Sequence, residues 1–502
     1  MGLGASGSSL DAEVLIVGAG ISGIGAGIEL LQRGYSSFVL LEEAQKLGGT
    51  WRDNTYPGVA VDIPFSSYCF SRETDYPWAR IFPTGSEIQD YVRHCAEKYD
   101  ITRRIRFNSK VVCARFEPGS DTWLTRLASG NVLKSRYLIS ATGLFYRPKP
   151  VDISGVDTFG GKTMHSARWD HSHNLARKRV AVIGTGATAV QIVPEIAGAV
   201  SQLYVFQRTP IWVSSRPDHV IHRRLKTGLH RVSALRYLCR ALSEFGMQAL
   251  TFAIVNYRRL PFIVRVIQWR VRSFMRRELQ DPALEAKLIP NYDLGCKRPA
   301  TSNSYLKAFR RANVALVTDR IDRVCLEGVV TTDGTLYEID TLILATGFLT
   351  TEQGNAPSFE VIGREDVELG QFWRDHRRQA YAGVSVPGFP NFFLTAGPYS
   401  GGFNWFTMLE AHLKHIMRCL DRARAAGVTR VEVKREAHDR YMRRMWSRAD
   451  ATIFKSGSCQ SANSYYLDKR GDASLPLPIT PWSRICWNLF ASTRGYTFGA
   501  SA

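Results

Sequence analysis

The chain has 502 residues, 45% of them hydrophobic and 11% aromatic, which predicts a globular protein of two or three domains. Its nine cysteines occur singly, without the paired spacing of a metal centre, so we expect no metal site and a reducing, cytoplasmic setting. No secretory signal precedes the first predicted strand, which favours the same setting. The formal net charge of +20 favours anionic partners but does not distinguish nucleic acid, a membrane surface and a phosphate-bearing molecule.

Residues 1–10, MGLGASGSSL, are rich in Gly and Ser and are predicted to form a flexible leader. The next segment, EVLIVGAGISGIGAGIELLQRG, is typical of a strand, a glycine turn and a helix. Glycines in such a turn let backbone N–H groups approach a pyrophosphate at the helix N-terminus. Glu42 ends the following strand, SSFVLLEEA, where a carboxylate accepts hydrogen bonds from ribose hydroxyls. We therefore predict an adenine dinucleotide site with Gly18, Gly20, Ser22, Gly23 and Glu42, rather than a purely structural turn.

A second turn of this kind occurs in RVAVIGTGATAVQIVPEI, so the chain should bind two nucleotides. The strand after it, QLYVFQRTP, offers Arg208 and Thr209 where an acid would otherwise accept the ribose 2′-hydroxyl. Arginine suits a 2′-phosphate, so this site should prefer NADPH over NADH. The alternative is that Arg208 is a solvated surface residue. The residues predicted to contact NADPH here are Gly184, Thr185, Gly186, Ala187, Thr188, Ala189, Gln191, Arg208 and Thr209.

The first site is assigned to FAD, because a nicotinamide needs an electron acceptor and an irregular aromatic loop, GGTWRDNTYPGVAVDIP, follows Glu42. Backbone and rings of this kind can lie against an isoalloxazine. Two later strands, YLISATG and TLILATGF, both end in Ala-Thr-Gly and would carry the chain between two nucleotide domains. The additional residues predicted to contact FAD are Gly49, Thr50, Trp51, Asp62, Tyr68 and Val112.

The segment FGGKTMHSARWD, residues 159–170, precedes the second glycine turn. It matches at every defined position the fingerprint FxGxxxHxxxW[PD] of type I Baeyer–Villiger monooxygenases. The loop at 48–62 fits that family's second fingerprint, [AG]GxWxxxx[FY]P[GM]xxxD. The chain therefore resembles this family from about residue 12 to about residue 470. Related N-oxygenating flavoprotein monooxygenases usually have a different aromatic where this chain has Trp169 followed by Asp170.

The resemblance implies that the first fingerprint lies on a linker between the FAD and NADPH domains. Its residues would then couple domain movement to catalysis rather than perform chemistry. The alternative for His165 alone is a satisfied core histidine. The fingerprint residues are Phe159, Gly161, His165, Trp169 and Asp170.

The segment LGCKRPATSNSY contains Lys297 and Arg298, which match the family's Lys-Arg pair. The resemblance implies that Arg298 stabilises the anionic oxygen species of the reaction and that Asp62 positions it. Lys297 would help Arg208 to hold the NADPH phosphate, and Arg298 would also contact NADPH by assisting the placement of the nicotinamide. One departure concerns Tyr465 and the residue after it, Tyr466, which stand where the family commonly has a tryptophan against the nicotinamide nucleotide.

An arginine-rich helical insertion is predicted at about 215–290. Within it, PFIVRVIQWRVRSFMRREL is amphipathic, with an apolar face that we expect to cover the substrate cavity. The alternative is a peripheral contact with a membrane surface. No transmembrane segment is predicted, because the most apolar stretch, FGMQALTFAIV, is shorter than the ~20 residues that a spanning helix needs.

The predicted fold class is α/β, with two doubly wound, Rossmann-like domains. The FAD domain is discontinuous, at 11–148 and 349–502, and the NADPH domain occupies 149–348. The expected activity is NADPH- and O2-dependent insertion of oxygen beside a ketone carbonyl, giving an ester or lactone, with sulfoxidation as a side activity. We expect no nucleic acid partner.

Three alternatives remain at this stage. An N- or S-oxygenating monooxygenase would share the architecture, and an uncoupled or non-catalytic flavoprotein could dock on membranes. A pyridine nucleotide–disulfide reductase is disfavoured because no redox cysteine pair follows Glu42. The sequence leaves the ketone and the oligomeric state open.

Overall fold

The computed structural model describes residues 10–350, 354–490 and 493–500; the predicted leader, apart from Leu10, lies outside them. In the N-terminal part, apolar β-branched runs form strands, and glycine or polar residues end them. The elements there are β1 Ala12–Val17, α1 Ile21–Gln32, β2 Phe38–Leu41, α2 Thr50–Asp53, α3 Gly85–Lys98, β3 Ile105–Arg106, β4 Val111–Glu117, β5 Thr122–Leu127 and β6 Val132–Ser140.

The middle of the chain contains a second series of alternating strands and helices, interrupted by a helical insertion. Its elements are β7 Lys162–His165, β8 Arg179–Ile183, α4 Ala187–Ile196, β9 Gln202–Phe206, β10 Val213–Ser214, α5 Arg223–Arg231, α6 Ser233–Val255, α7 Pro261–Leu279, α8 Pro282–Leu288, β11 Ala300–Thr301, α9 Tyr305–Ala308, β12 Val314–Val317, β13 Ile321–Val324, β14 Gly328–Thr331, β15 Leu336–Glu338 and β16 Thr341–Leu344.

The C-terminal part returns to the first series. Its elements are β17 Glu360–Ile362, α10 Leu369–His376, β18 Phe392–Leu394, α11 Trp405–Ala425, β19 Arg430–Val433, α12 Arg435–Ala449, α13 Pro481–Phe490 and β20 Tyr496–Gly499.

The first sheet joins strands from both ends of the chain, in the order β17-β4-β5-β6-β1-β2-β3, with β18 also paired to β6. β1 lies parallel to β2 and β6, and β18 is parallel to β6. Val14 and Leu15, on opposite faces of β1, are buried in two different core clusters. Burial on both faces explains why β1 is a continuous apolar run rather than an alternating one.

The second sheet has the order β12-β9-β8-β16-β7, and its strands are parallel throughout. Its central strand β8 is also buried on both faces, since Val180 and Ala181 pack into separate clusters. The predicted α/β class with two Rossmann-like domains, the first of them discontinuous, is therefore confirmed. We call the units built on these sheets the first and second domains.

Two chain segments cross between the domains side by side. Pro148 and Phe348 form an antiparallel bridge. The amide of Lys149 donates to the carbonyl of Gly347 at 2.9 Å, and the amide of Leu349 donates to the carbonyl of Arg147 at 3.0 Å. We propose domain limits of 11–148, 149–348 and 349–502, because they fall on this double crossing.

The insertion comprises α5 to α8. The predicted apolar face of α7 packs against the core of the second domain, with Val264 and Met275 fully buried. No described residue of α7 lines the large cavity between the domains. The expectation that this face covers the substrate cavity is therefore wrong: it covers a core.

Helix α6 is longer than the apolar stretch recognised in the sequence. Its 23 residues are long and apolar enough, by length and composition alone, to cross a membrane, and 33% of the apolar window is buried in the protein. Glu244 and Gln248 on this helix are buried against the protein. We therefore treat α6 as part of the folded body.

Candidate active site

One cavity of about 1580 Å³ runs between the two domains, along both glycine turns. A cavity for a single drug-sized ligand usually measures about 300–1,000 Å³, so this one has room for more than one large ligand. The predicted residues that line it are Gly18, Gly20, Ser22, Glu42, Gly49, Thr50, Trp51, Asp62, Tyr68, Gly184, Thr185, Gly186, Ala187, Thr188, Gln191, Arg208, Thr209, Lys297 and Arg298.

The first glycine turn admits no side chain at two positions. Gly18 has φ +110°, and a Cβ there would lie 2.6 Å from the carbonyl oxygen of Ala141. A Cβ on Gly23 would lie 1.9 Å from the carbonyl oxygen of Gly18. Gly23 is absent from the described cavity lining; its role is to let helix α1 approach strand β1. The turn therefore presents bare backbone to the cavity, as a pyrophosphate requires.

Glu42 faces the same end of the cavity from the end of β2. Its carboxylate accepts hydrogen bonds from the amides of Ala19 at 2.9 Å and Ala44 at 3.0 Å. Arg52 donates to it at 2.8 Å. A carboxylate has about four acceptor positions, so a ribose hydroxyl can still donate to this one. The geometry fits the adenosine end of a dinucleotide.

The second glycine turn repeats the first. Gly184 has φ +118°, and a Cβ there would lie 2.4 Å from the carbonyl oxygen of Ala345. Ala189 is fully buried beneath the turn rather than in the cavity wall. Thr185 donates to the carbonyl of Thr209 at 2.8 Å, which joins the turn to the end of β9. This hydrogen bond holds the glycine turn next to the segment that contains Arg208 and Thr209.

Lys297 lies beside Arg208 in the cavity wall. Burial, together with the nearby charge of Arg208, lowers the pKa of Lys297 to about 8. Two cations facing one space repel each other until an anion lies between them. The pair is therefore suited to a phosphate, and Lys297 is a cation whose charge depends on pH near neutrality.

Arg298 and Asp62 form a two-pronged ion pair across the domain boundary. Nε and Nη2 of Arg298 each donate to one carboxylate oxygen of Asp62, both at 2.7 Å, and Nη2 also donates to the carbonyl of Phe403 at 3.2 Å. Burial would raise the pKa of Asp62, but the charge and hydrogen bonds of Arg298 outweigh it and lower this pKa. The same pairing overcomes burial to raise the pKa of Arg298. Arg298 is a permanent, oriented cation in the cavity wall.

Aromatic rings enclose the space around this cation. The indole of Trp51 donates to the hydroxyl of Tyr68 at 3.1 Å, with the two rings edge to face. Tyr465 and Tyr466 also line the cavity, with ring centroids 4.5 Å apart. The pair that departs from the family pattern thus lies in the same cavity as Arg298, and their hydroxyls supply polar groups where the family has an indole.

The fingerprint at 159–170 lies outside the described cavity lining and against the double crossing. His165 ends β7, which pairs with β16 just before the Ala-Thr-Gly turn. Its Nδ1 accepts from the amide of Ala167 at 3.1 Å, and its Nε2 lies 3.4 Å from the hydroxyl of Thr346. Burial, aided by the charge of Arg168, lowers the pKa of His165. A neutral ring therefore joins the fingerprint to the crossing.

The other fingerprint residues support this arrangement. A Cβ on Gly161 would lie 2.5 Å from the carbonyl of Asp340 and 2.6 Å from the ring of Phe159. Asp170 pairs with Lys162 at 2.6 Å. The hydrogen bond from Lys162 lowers the pKa of Asp170. Trp169 packs against the core of the second domain. Among the described residues, these contacts are all outside the cavity lining.

Sequence reasoning missed part of the wall, between β18 and α11. Gly402, Phe403 and Trp405 line the cavity, and the indole of Trp405 donates to Ser22 at 3.2 Å. The sequence did contain a signal for this part of the wall, namely two adjacent glycines shortly before Asn404, which caps the N-terminus of α11.

Val112 was predicted to contact FAD, but Val111 lines the cavity in its place. Val112 is half-buried beside it, and its contact with FAD stays a prediction. Neighbouring residues of a strand face opposite sides, so an error of one residue exchanges the two faces.

Two cysteines predicted as isolated thiols are paired. Cys296 and Cys459, 163 residues apart, form a disulfide with Cα atoms 5.0 Å apart. Cysteine spacing in the sequence could not reveal this pair, because the fold brings the two segments together. The bond joins the segment of Lys297 to the turn preceding Tyr465. Among the described residues, no group of three or more acidic, histidine or cysteine side chains could hold a metal ion.

Comparisons with known proteins agree with this site. The model of the pyridine nucleotide-disulphide oxidoreductase family matches residues 15–239, which contain both glycine turns. A Baeyer-Villiger monooxygenase of Streptomyces coelicolor is 36% identical over 475 residues, covering 93% of this chain and 89% of the relative. An oxidised steroid monooxygenase bound to NADP superimposes with a TM-score of 0.87 at 26% identity, covering 97% of this chain and 99% of that chain. The OTEMO complex with FAD and NADP gives 0.85 at 26% identity, covering 98% and 100%.

Two nucleotide turns that share one cavity with a fixed cation define a flavin- and NADP-dependent monooxygenase. The chain belongs to the Baeyer–Villiger monooxygenase family, and its cofactors are FAD and NADP.

The affinity for NADPH should fall as pH rises through about 8, because Lys297 then loses the charge that attracts phosphate. Below that pH the side chain is protonated and binding needs no proton uptake. Lys297→Arg, which stays charged, should remove this pH dependence. The KM for NADPH between pH 6.5 and 9.5 checks this, with NADH, which lacks the 2′-phosphate, as the control. A wild-type profile identical for both nucleotides would contradict it.

His165→Ala should fold and bind FAD but produce less ester per NADPH oxidised, with hydrogen peroxide making up the difference, because the crossing loses its contact with Thr346. His165→Asn, which keeps an acceptor, should be milder. His376→Ala, an exposed histidine, is the control. The ratio of ester to NADPH consumed is the measurement. Recovery of both His165 variants only as aggregate would instead identify a core histidine.

Proposed function

We propose that this protein inserts one atom of O2 next to the carbonyl of a small-molecule ketone, giving an ester or lactone, and oxidises thioethers to sulfoxides as a side reaction. The observation that carries the proposal is the two-pronged Arg298–Asp62 pair in the wall of a cavity that reaches both nucleotide turns. When bound, FAD reduced by NADPH supplies the activation of O2.

The residues of the first domain would hold FAD. The turn at Gly18 and Gly20 is suited to the pyrophosphate and Glu42 to the ribose, as their geometry supports. Trp51 and Tyr68 would close the ring end of the site and exclude water. Exclusion of water matters because it protects a reactive oxygen species from hydrolysis and strengthens each electrostatic contact in the site.

The second domain would hold NADPH. The turn at Gly184 and Gly186 is suited to the pyrophosphate, and Arg208 with Lys297 to the 2′-phosphate. Two observations support this assignment: both side chains line the cavity, and the charge of Arg208 adds to burial in lowering the pKa of Lys297. NADPH should accordingly be preferred over NADH.

Arg298 would act on the reacting atoms. Oxygen insertion at a ketone passes through negatively charged species, and a preorganised cation lowers their energy without rearranging at the moment of reaction. Asp62 would act as a positioning residue, because it holds both prongs of the guanidinium and leaves the remaining N–H groups to the cavity. Tyr465 and Tyr466 would add polar hydroxyl groups to the wall of the same cavity.

Purified holoenzyme with NADPH should convert at least one member of a panel of linear, cyclic, aromatic and steroidal ketones to an ester, and a thioether to its sulfoxide. Mass spectrometry with 18O2 checks that one oxygen atom comes from O2. Conversion of amines with no ester from any ketone would favour the N-oxygenating alternative.

Arg298→Ala should bind FAD and still be reduced by NADPH, yet form ester at least a hundredfold more slowly, because the loss of one stabilising donor costs about 10²–10³ in kcat. Asp62→Ala should fall between this variant and wild type. Arg179→Ala, which removes a similar pair with Asp340 outside the described cavity wall, is the control. Stopped-flow absorbance follows flavin reduction, and product is measured in the same samples. Ester formation by Arg298→Ala at nearly the wild-type rate would remove this residue from the mechanism.

A further inference from the structure

Helix α6 has its polarity reversed relative to a helix on a water-soluble surface. Its exposed face carries only apolar or small side chains along its whole length, all of it described. Leu242 is 65% exposed and Phe245 62% exposed. A soluble helix usually turns such residues toward a core and its charged residues toward water. The larger exposed side chains of α6 are Tyr237, Leu238, Leu242, Phe245 and Phe252.

The inner face of α6 is polar from Arg236 to Glu244, where it contacts the first domain. At the C-terminal end of the helix it is apolar, and Ala253 and Ile254 join the core of the second domain. Glu244 accepts hydrogen bonds from Asn404 and from Thr407, the latter at 2.8 Å. Arg240 donates to the carbonyl of Cys69 at 3.0 Å. Rotating α6 to bury its apolar face would break these hydrogen bonds and leave buried polar groups without partners, which is destabilising. The outward orientation of the apolar face is therefore built into the fold.

Helix α7 extends this apolar surface. Its exposed Phe262, Val266 and Trp269 are 59%, 53% and 67% exposed. Trp482 of α13 adjoins the surface, with its ring 6.1 Å from that of Phe245. Helices α6 and α7 pack against each other, so their exposed apolar side chains are grouped on neighbouring helices rather than scattered singly. Such a grouping is typical of a binding surface. We call the exposed side of α6 and α7 the insertion face.

Basic residues surround the insertion face. Arg258 and Arg259 are exposed at the turn between the two helices, and Arg265 and Arg270 are exposed on α7. Glu244, which is buried, is the sole acidic residue from position 223 to position 277. An apolar face with exposed arginines beside it and tryptophans at its margin matches the boundary between the headgroups and acyl chains of an anionic bilayer.

We propose that the insertion face docks on the surface of an anionic phospholipid bilayer, with α6 lying in the plane of the membrane. Its apolar side chains enter the acyl boundary, and Arg258, Arg259, Arg265 and Arg270 reach the lipid phosphates. Each arginine close to such a surface adds to the electrostatic attraction, which falls off within a Debye length. A second copy of this chain is the weaker occupant, because two identical faces would bring these arginines against one another.

The inner side of the same helix belongs to the cavity. Thr251, Ile254 and Val255 of α6 line it. A helix is about 10 Å across, so docking would place the cavity wall about one helix diameter from the lipid. The docking proposal rests only on the side chains of the insertion face and does not depend on the proposed function.

The test is sedimentation of the FAD-loaded protein with vesicles of phosphatidylcholine alone or with phosphatidylglycerol added. Wild type should bind the mixed vesicles at least tenfold more tightly than the neutral ones, and high salt should weaken that binding. Leu242→Ser/Phe245→Ser and, separately, Arg258→Glu/Arg259→Glu should each lower binding at least tenfold. Flavin absorbance and turnover of a small water-soluble ketone should stay at wild-type levels in both.

Matched control variants carry the same chemical changes outside the insertion face. Val132→Ser/Leu326→Ser alters two other exposed apolar residues, and Lys434→Glu/Arg435→Glu alters two other exposed basic ones. Both should bind vesicles like wild type. The proposal is overturned if wild type ignores anionic vesicles or if the controls lose as much binding as the insertion-face variants. It is also overturned if Leu242→Ser/Phe245→Ser keeps vesicle binding and instead dissociates a dimer in size-exclusion chromatography. Sedimentation does not require catalysis. The vesicle-binding result can therefore be interpreted even if the protein forms no ester.

Discussion

The close approach of a glycine turn to an Ala-Thr-Gly turn is the contact on which the whole molecule depends, and it occurs twice. Gly18 packs against the carbonyl of Ala141, and Gly184 packs in the same way against the carbonyl of Ala345. In each domain this contact exposes bare backbone at the end of the central strands. In each domain the chain crosses to the other domain within a few residues of this Ala-Thr-Gly turn. The same two turns therefore shape the nucleotide sites and begin the double crossing.

The cavity wall contains two neighbouring cations, Lys297 and Arg298, whose charges depend differently on pH. Arg298 is held by both oxygens of Asp62, so its charge and direction do not vary. Lys297, its neighbour in sequence, has no such partner among its described contacts, and its pKa is lowered to about 8 by burial and by Arg208. A buried arginine without its carboxylate would carry a large desolvation cost, which explains why Asp62 comes from the other domain to meet it. The same pair thus joins the two domains and lies in the wall of the cavity between them.

The sequence predicted the elements whose information is local. Both glycine turns, the strand-end Glu42 and the α/β class follow from short patterns with a defined backbone requirement, and the fold is as predicted. Features that depend on distant packing were not predictable. The Cys296–Cys459 bond joins segments 163 residues apart. The reversed polarity of α6 is equally invisible locally, because periodicity reveals that a helix has two faces but not which of them meets the protein. Which residue of β4 lines the cavity was not predictable either, because a strand gives no signal that separates its two faces when both are partly covered.

The discontinuity of the first sheet sets an order for biosynthesis. Strand β18, which pairs with β6, and α11, which packs on α1, begin more than 250 residues after β6 ends. The five-stranded sheet of the second domain is complete in sequence by Leu344. On the ribosome the second domain can therefore close while the first still exposes an unpaired edge of β6. Domains fold as units during synthesis, and long-range strand pairing is slow. The nascent first domain must thus wait for its own C-terminal part, with its glycine turn already formed but its sheet open.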